Sequence, residues 1–356
     1  MATTLGNADA ALRVFMARTA SLVTLSDAAG RARARELLAI LTRADVDLGL
    51  RLRTWVAENG GGDMRFSEAS LISYREQARI AVEFVRDRLE GMTTEAALSA
   101  AETSIRRTSR LFSELERFFR GVARPLRLDA VEQVQLRGSL ISRHATSADR
   151  YGAAMTAEIE RVLVDGLARG ASQFEMVEQL VAMKGPQGMV SIRAVEVAPG
   201  VVVRTAVESI PEGLFVRKRP WAWRIVRTEV AEAQNAASDA LIRHNRQAFP
   251  DLKRKIMAVI DNRTAADSLG VHGQVRAEGE EFVDGAGRHY LRPPSRPNDR
   301  ETLIPWRDRW PSTRRSRPLS DAEIERITAR NQARSRAQAE RRRALRQSED
   351  EIAASS

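Results

Sequence analysis

Val190-Ser191-Ile192-Arg193-Ala194-Val195-Glu196-Val197, then Pro199-Gly200, then Val201-Val202-Val203-Arg204-Thr205-Ala206-Val207, is the stretch that decides the fold class. Apolar and polar residues alternate in its first half, the period of a strand with one covered face. Pro fixes φ and Gly accepts a positive φ, so Pro199-Gly200 predicts a tight hairpin turn. Before about residue 186 the grammar is entirely different. Leu98, Ala101, Ile105, Phe112, Leu115 and Phe119 recur at helical spacing. So do Ala78, Ala81, Val82, Val85 and Leu89, and so do Met155, Ile159, Leu163 and Leu167. Each set is one apolar stripe that a helix must bury. The interior punctuation of this half is Gly60-Gly61-Gly62 and Pro125. Gly170 stops a helix, and Ser172-Gln173-Phe174-Glu175 is a capping box that starts the next. The expectation is an α+β protein: a long N-terminal helical bundle over 1–185, a small α+β domain with a β-hairpin insert over 186–310, and a basic C-terminal helix or arm over 311–356.

Downstream of the hairpin, Trp221 and Trp223 are read as a junction. A helix is predicted from Arg227 to about His244, with Val230, Ala233, Ala237, Leu241 and His244 on its apolar face. Ile256-Met257-Ala258-Val259-Ile260 is an unbroken apolar run, as in a buried strand. Short strands are expected around Gln274–Ala277, Glu281–Val283 and His289–Leu291, with a turn at Asp284-Gly285-Ala286-Gly287. Pro293-Pro294-Ser295-Arg296-Pro297 breaks structure. Ser320-Asp321-Ala322-Glu323 is a second capping box, opening a last helix to about Arg346 that either packs through Ile324 and Ile327 only or folds on a partner.

The 356 residues carry no cysteine, which removes disulfides, thiolate metal sites and thiol nucleophiles. The four histidines, at 144, 244, 272 and 289, are too scattered for a multi-histidine centre, so neither metal nor cofactor is expected. No apolar run reaches membrane-spanning length, and the first residues lack the order of a signal peptide, so the expectation is a cytoplasmic product with no membrane partner. Charge is concentrated. Residues 288–346 hold 17 arginines and no lysine against seven acids, while the whole chain has a net charge of +10. A basic segment on a near-neutral body reads as an arm for a polyanion. Arg326, Arg330, Arg334, Arg336, Arg341, Arg342, Arg343 and Arg346 are its candidate DNA-binding residues, with phosphate rather than base contacts because no aromatic residue lies among them. The competing reading is a solvated arginine-rich helix with no ligand, and an acidic protein is the other polyanion that would suit the arm.

Residues 225–306 carry an ordered set of short motifs: Ile225-Val226-Arg227-Thr228-Glu229-Val230 with Asn235 beyond it, Ile260-Asp261-Asn262-Arg263-Thr264, Ser268, His272-Gly273-Gln274-Val275, Phe282, and Pro297-Asn298-Asp299-Arg300-Glu301-Thr302 before Ile304-Pro305-Trp306. This order resembles the bacteriophage Mu F-type head-morphogenesis family, the minor head or minor capsid proteins, over about 150 residues. The helical N-terminal part and the basic tail lie outside the resemblance. Where that family often has two cysteines around the final arginine, this chain has Asp299 and Glu301, so no thiol or metal role survives there, and what remains is a closing turn held by Asn298 and by ion pairs around Arg300.

The residues themselves suggest a structural clasp made of Arg227, Thr228, Glu229, Asp261, Arg263, Thr264, His272, Gly273, Asn298 and Arg300. Arg227, placed near a helix N-terminus, needs a carboxylate partner, for which Asp261 is the candidate. A catalytic reading would make His272 a general base and Glu229 an acid, but no nucleophile or phosphate loop accompanies them.

The resemblance implies a non-enzymatic minor head protein of a tailed phage or prophage. It would act in head assembly and DNA packaging, with the portal protein and the major capsid protein as partners and double-stranded DNA contacted without sequence preference. Its place would be the virion, in the head interior or at the portal vertex, and the host cytoplasm during assembly. The alternatives are an effector or toxin-type enzyme with a polar site in 225–306, and a nucleic-acid-binding protein unconnected with virions.

Overall fold

The computed structural model describes residues 33–59, 64–119, 124–181, 190–198, 201–208, 213–261, 264–297, 299–310, 312 and 316–354. The Gly60–Gly62 break, the Pro199-Gly200 turn, Arg263, Asn298 and the side chain of Arg346 lie outside the described residues. The fold is α+β, with a long helical N-terminal region and a few small antiparallel sheets. Helices α1 (33–58), α2 (Glu68–Phe118), α3 (Ala130–Ala168) and α4 (Gln173–Val181) come first. The hairpin strands β1 (Val190–Ala198) and β2 (Val201–Glu208) follow, pairing from Val190 opposite Glu208 to Ala198 opposite Val201. Then come α5 (Leu214–Arg217), α6 (Arg219–His244), β3 (Leu252–Ala258), α7 (Ala266–Val271), β4 (Val275–Arg276), β5 (Phe282–Val283), β6 (His289–Tyr290), β7 (Glu301–Arg307) and α8 (Asp321–Ala354). No described helix is long and apolar enough to cross a membrane.

The chain forms two compact units, each assembled from separated segments. The first takes its described residues from 33–36, 88–149 and 221–331, and the second from 37–87, 150–220 and 332–354. In the second, Leu41, Leu48 and Leu52 of α1, Tyr74, Val82 and Val85 of α2, and Tyr151, Met155 and Leu163 of α3 are buried. Gly170 adopts φ +67°, the left-handed residue that ends α3. The Ser172 N–H then donates to Glu175 at 2.8 Å and the Glu175 N–H to Ser172 Oγ at 3.1 Å, closing the box that starts α4. Asp45, buried in α1, accepts the Phe215 and Val216 N–H groups at 3.0 and 2.9 Å. Burial pushes its carboxyl up to about 6.

In the first unit β3 lies between β4 and β7, antiparallel to both. Ala233, Ala237 and Leu241 of α6, Ile256 of β3, Leu303 of β7, and Phe112 and Leu115 of α2 share one apolar core. Two expectations need correction here. Helix α6 begins at Arg219, eight residues before Arg227, so Arg227 and Glu229 are mid-helix and no helix-end field acts on them. The segment read as a closing turn at 298–302 runs into a seven-residue strand, β7, whose Leu303, Ile304 and Trp306 are buried. Pro305 argues against a central strand, but β7 is an edge in this sheet, where a missing N–H is tolerated. Helix α8 also extends eight residues past the expected Arg346.

Candidate functional site

Helix α8 starts from the predicted capping box: the Ser320 N–H donates to Glu323 at 3.0 Å and the Glu323 N–H to Ser320 Oγ at 3.4 Å. The Ser320 N–H, then Arg317 at 2.9 Å and the Ser320 hydroxyl, all donating to the carboxylate, hold the Glu323 carboxyl down at about 2. Ile327 and Asn331 are the buried residues of α8, and Ile324 is half-buried. Asn331, not a second isoleucine, completes the attachment: its Nδ2 donates to the Asp261 carbonyl at 2.8 Å and to that of Thr264 at 3.3 Å. Arg326, Arg330, Arg334, Arg336, Arg341, Arg342 and Arg343 are all exposed and make no ion pair with a described residue. Arg326, Arg330, Arg334 and Arg341 fall within about 80° of arc at 100° per residue, a single stripe some 22 Å long at 1.5 Å per residue.

Three local arrangements can be followed among the described motif residues. Glu229 is buried and faces α3: Arg143 Nε donates to it at 2.9 Å and Ser147 Oγ at 2.9 Å, with His144 Nε2 at 3.6 Å. Burial lowers the His144 pKa, against the pull of Glu229. Thr228 donates back to the Arg224 carbonyl within α6 at 2.7 Å, and Arg227 is half-buried and partnered. Asp261, Thr264 and Arg300 form the second group. Arg300 grips Asp261 with both terminal nitrogens, at 2.7 and 2.5 Å, and the Asp261 N–H donates to Thr264 Oγ1 at 3.0 Å. The ion pair predicted around Arg300 is therefore present, with Asp261 as its partner. The third group is His272 and Gly273. The buried His272 uses Nδ1 to accept the Ala258 N–H at 3.2 Å, which commits the lone pair a general base would need. Gly273 has φ +77°, and a Cβ there would lie 2.4 Å from the Arg317 carbonyl carbon, so only glycine fits.

Asp299 and Glu301 are both buried. Asp299 ties its own turn, accepting the Ser295 and Arg296 N–H groups at 3.1 and 3.0 Å and Arg296 Nε at 2.8 Å. Arg296 also reaches Asp267 at 2.5 Å and Ser268 at 3.1 Å. Glu301 accepts the Tyr290 hydroxyl at 3.0 Å. Burial, and then Asp299, push its carboxyl up to about 7. A cleft of about 190 Å³ opens beside this cluster, lined by Thr264, Ser268, Arg296, Asp299 and Arg300, whose side chains are hydrogen-bonded to one another or to neighbours.

Sequence reasoning missed the partners that lie far away along the chain. Asn235 of α6 acts as a surrogate strand for β7, donating to the Glu301 carbonyl at 3.0 Å and accepting the Leu303 N–H at 2.7 Å. Glu116 of α2, wholly buried, receives Arg307 at 3.0 Å, Trp310 Nε1 at 3.2 Å, and Arg309. Lys255 is also wholly buried, with Nζ 3.4 Å from the centre of the Trp306 ring, and burial pulls its pKa down to about 7. Asn235 stood out as the polar residue beyond the first motif, but nothing in the sequence marks Glu116 or Lys255. Comparison with protein-family models, curated proteins and solved structures finds no match.

Proposed function

We propose that this chain is a minor head protein of a tailed phage or prophage, acting by adhesion during head assembly near the portal, with α8 as a sequence-independent DNA arm. The observation that carries the reading is the α8 arginine surface: seven exposed guanidinium groups with no carboxylate among the described residues to neutralise them. A solvated helix gains little from so much like charge, whereas phosphates would both neutralise it and release counterions. The order of motifs over 225–306 supports the head-morphogenesis part of the reading. The pairing of Asp261, Asp299 and Glu229 with arginines supports a rigid adaptor rather than a turnover site, because carboxylates held by charge-assisted hydrogen bonds are fixed in place.

The test is gel retardation of a random-sequence duplex by the full chain across a salt series. With about five arginines on phosphates, log K should fall against log[salt] with a slope near about −4.5. Changing Arg334, Arg341, Arg342 and Arg343 to Ala should flatten the slope and weaken binding equally for every sequence. Undiminished binding by this variant would remove the arm from the proposal. Failure to co-purify with a phage portal protein, and absence from purified particles, would remove the head assignment.

A further inference from the structure

A second cleft, of about 230 Å³, opens in the first unit where the C-terminal end of α6, β3, the β4–β5 turn and the segment after β6 meet. Arg243, Arg246, Arg254 and Arg292 line it, against Asp239 and Glu278. Most of that charge is paired. Arg292 is held by Glu232 at 2.8 Å, Arg246 by Glu278 at 2.6 Å and Arg254 by Asp239 at 3.4 Å, and Arg254 also donates to the carbonyls of Ala277, Glu280 and Leu291, so the positive charge of Arg243 is left in excess.

The remainder is not used. Arg246 and Arg254 each keep a buried Nε–H that finds no acceptor among the described residues, and Arg254 as a whole is 95% buried. An orphaned, buried, charged donor costs more than a neutral one, and two within one cleft are unusual in a folded protein. Arg243 is exposed and forms no ion pair with a described residue. Its place in the last turn of α6 suits the helix dipole, but that accounts for Arg243 alone.

We propose that this cleft binds a phosphomonoester. A phosphate offers several oxygens to the unpaired guanidinium of Arg243 and to the unused donors beside it, where a carboxylate offers only two. The volume falls below that of a drug-sized pocket, so it suits one anionic group and the atoms next to it. Ile242 and Leu291, on the same wall, give those atoms an apolar surface. Two sources share this chemistry: a free phosphomonoester such as a mononucleotide, and the terminal phosphate of a nucleic acid strand. The site stands independently of the α8 arm.

Calorimetric titration of the full chain at pH 7.5 with inorganic phosphate, dAMP and deoxyadenosine tests it. Saturable binding of the first two and none of the third is expected. Arg243→Glu and Leu291→Glu, both at exposed positions, should each weaken dAMP binding at least tenfold while leaving the urea midpoint in place. No saturable binding of phosphate or dAMP, or the same affinity in Arg243→Glu, would overturn the proposal. Competition of dAMP by 5′-phosphorylated and 5′-hydroxyl duplexes separates the sources. A stronger effect of the phosphorylated end assigns the site to DNA termini, and equal effects assign it to the free ligand.

Discussion

Arg300 and Arg307 stand at the two ends of β7, and each is locked to a carboxylate: Arg300 to Asp261, Arg307 to Asp251 at 2.5 Å and to the buried Glu116. Arg326, Arg330, Arg334 and Arg341 form a stripe on α8 and have no such partner among the described residues. The residue type is the same and the physics is opposite. Around β7 the guanidinium groups are fixed by ion pairs in a low-dielectric setting, so removing one partner strands a charge. On α8 the charge stays in water, where it costs little to the fold and remains available to a ligand. Arginine content alone therefore does not mark a binding surface; the pairing of each guanidinium group has to be read with it.

That contrast can be broken by mutation. The largest effect on stability should come from Glu116→Ala, which deprives Arg307, Arg309 and Trp310 of a common acceptor at a fully buried site. A loss of about 3–5 kcal/mol, read from urea unfolding, is the expectation for breaking a buried pair. Next comes Asn235→Ala, which leaves the Leu303 N–H and the Glu301 carbonyl of β7 without their partner and should cost about 1–3 kcal/mol by the same measurement.

Two pH effects sharpen the comparison. Glu301 is raised from 4.5 to about 7, so between those values the folded chain holds a proton that the unfolded chain has lost. Its contribution therefore falls as pH rises through that window, and Glu301→Gln should flatten the profile there. Lys255 is lowered from 10.5 to about 7, so above pH 7 the unfolded chain binds the extra proton and the lysine's contribution rises with pH. Lys255→Met should abolish that rise and stabilise the protein at neutral pH. A Lys255→Met profile matching the parent between pH 7 and 10 would show that the amine is not desolvated in solution. The smallest effect belongs to α8. Arg341→Ala should leave the unfolding midpoint unchanged, and a clear drop would mean that the stripe is part of the fold.

Much of this was legible because it is local. The capping boxes at Ser172–Glu175 and Ser320–Glu323 each lie within four residues and form as read. The alternation at 190–207 gives a hairpin, and the turn at 284–287 is tied by Asp284 to the Ala286 and Arg288 N–H groups. The long-range partners of the charged residues were not legible. Glu229 meets Arg143, 86 residues away, and Arg307 meets Glu116, 191 residues away; no spacing rule reaches that far. Strand β7 was hidden for a related reason: Pro305 lowers its strand character, and only its place at the sheet edge makes that harmless.

The sequence alone determined where α3 stops and where the capped helices α4 and α8 start, which stripes are apolar, and where arginine is concentrated, since each depends on neighbours within a turn or two of chain. The tertiary structure decided which charges are neutralised. Pairing energy depends on distance and on exclusion of water, and both are set by how α2, α3 and α6 pack around β3 and β7 rather than by the order of residues.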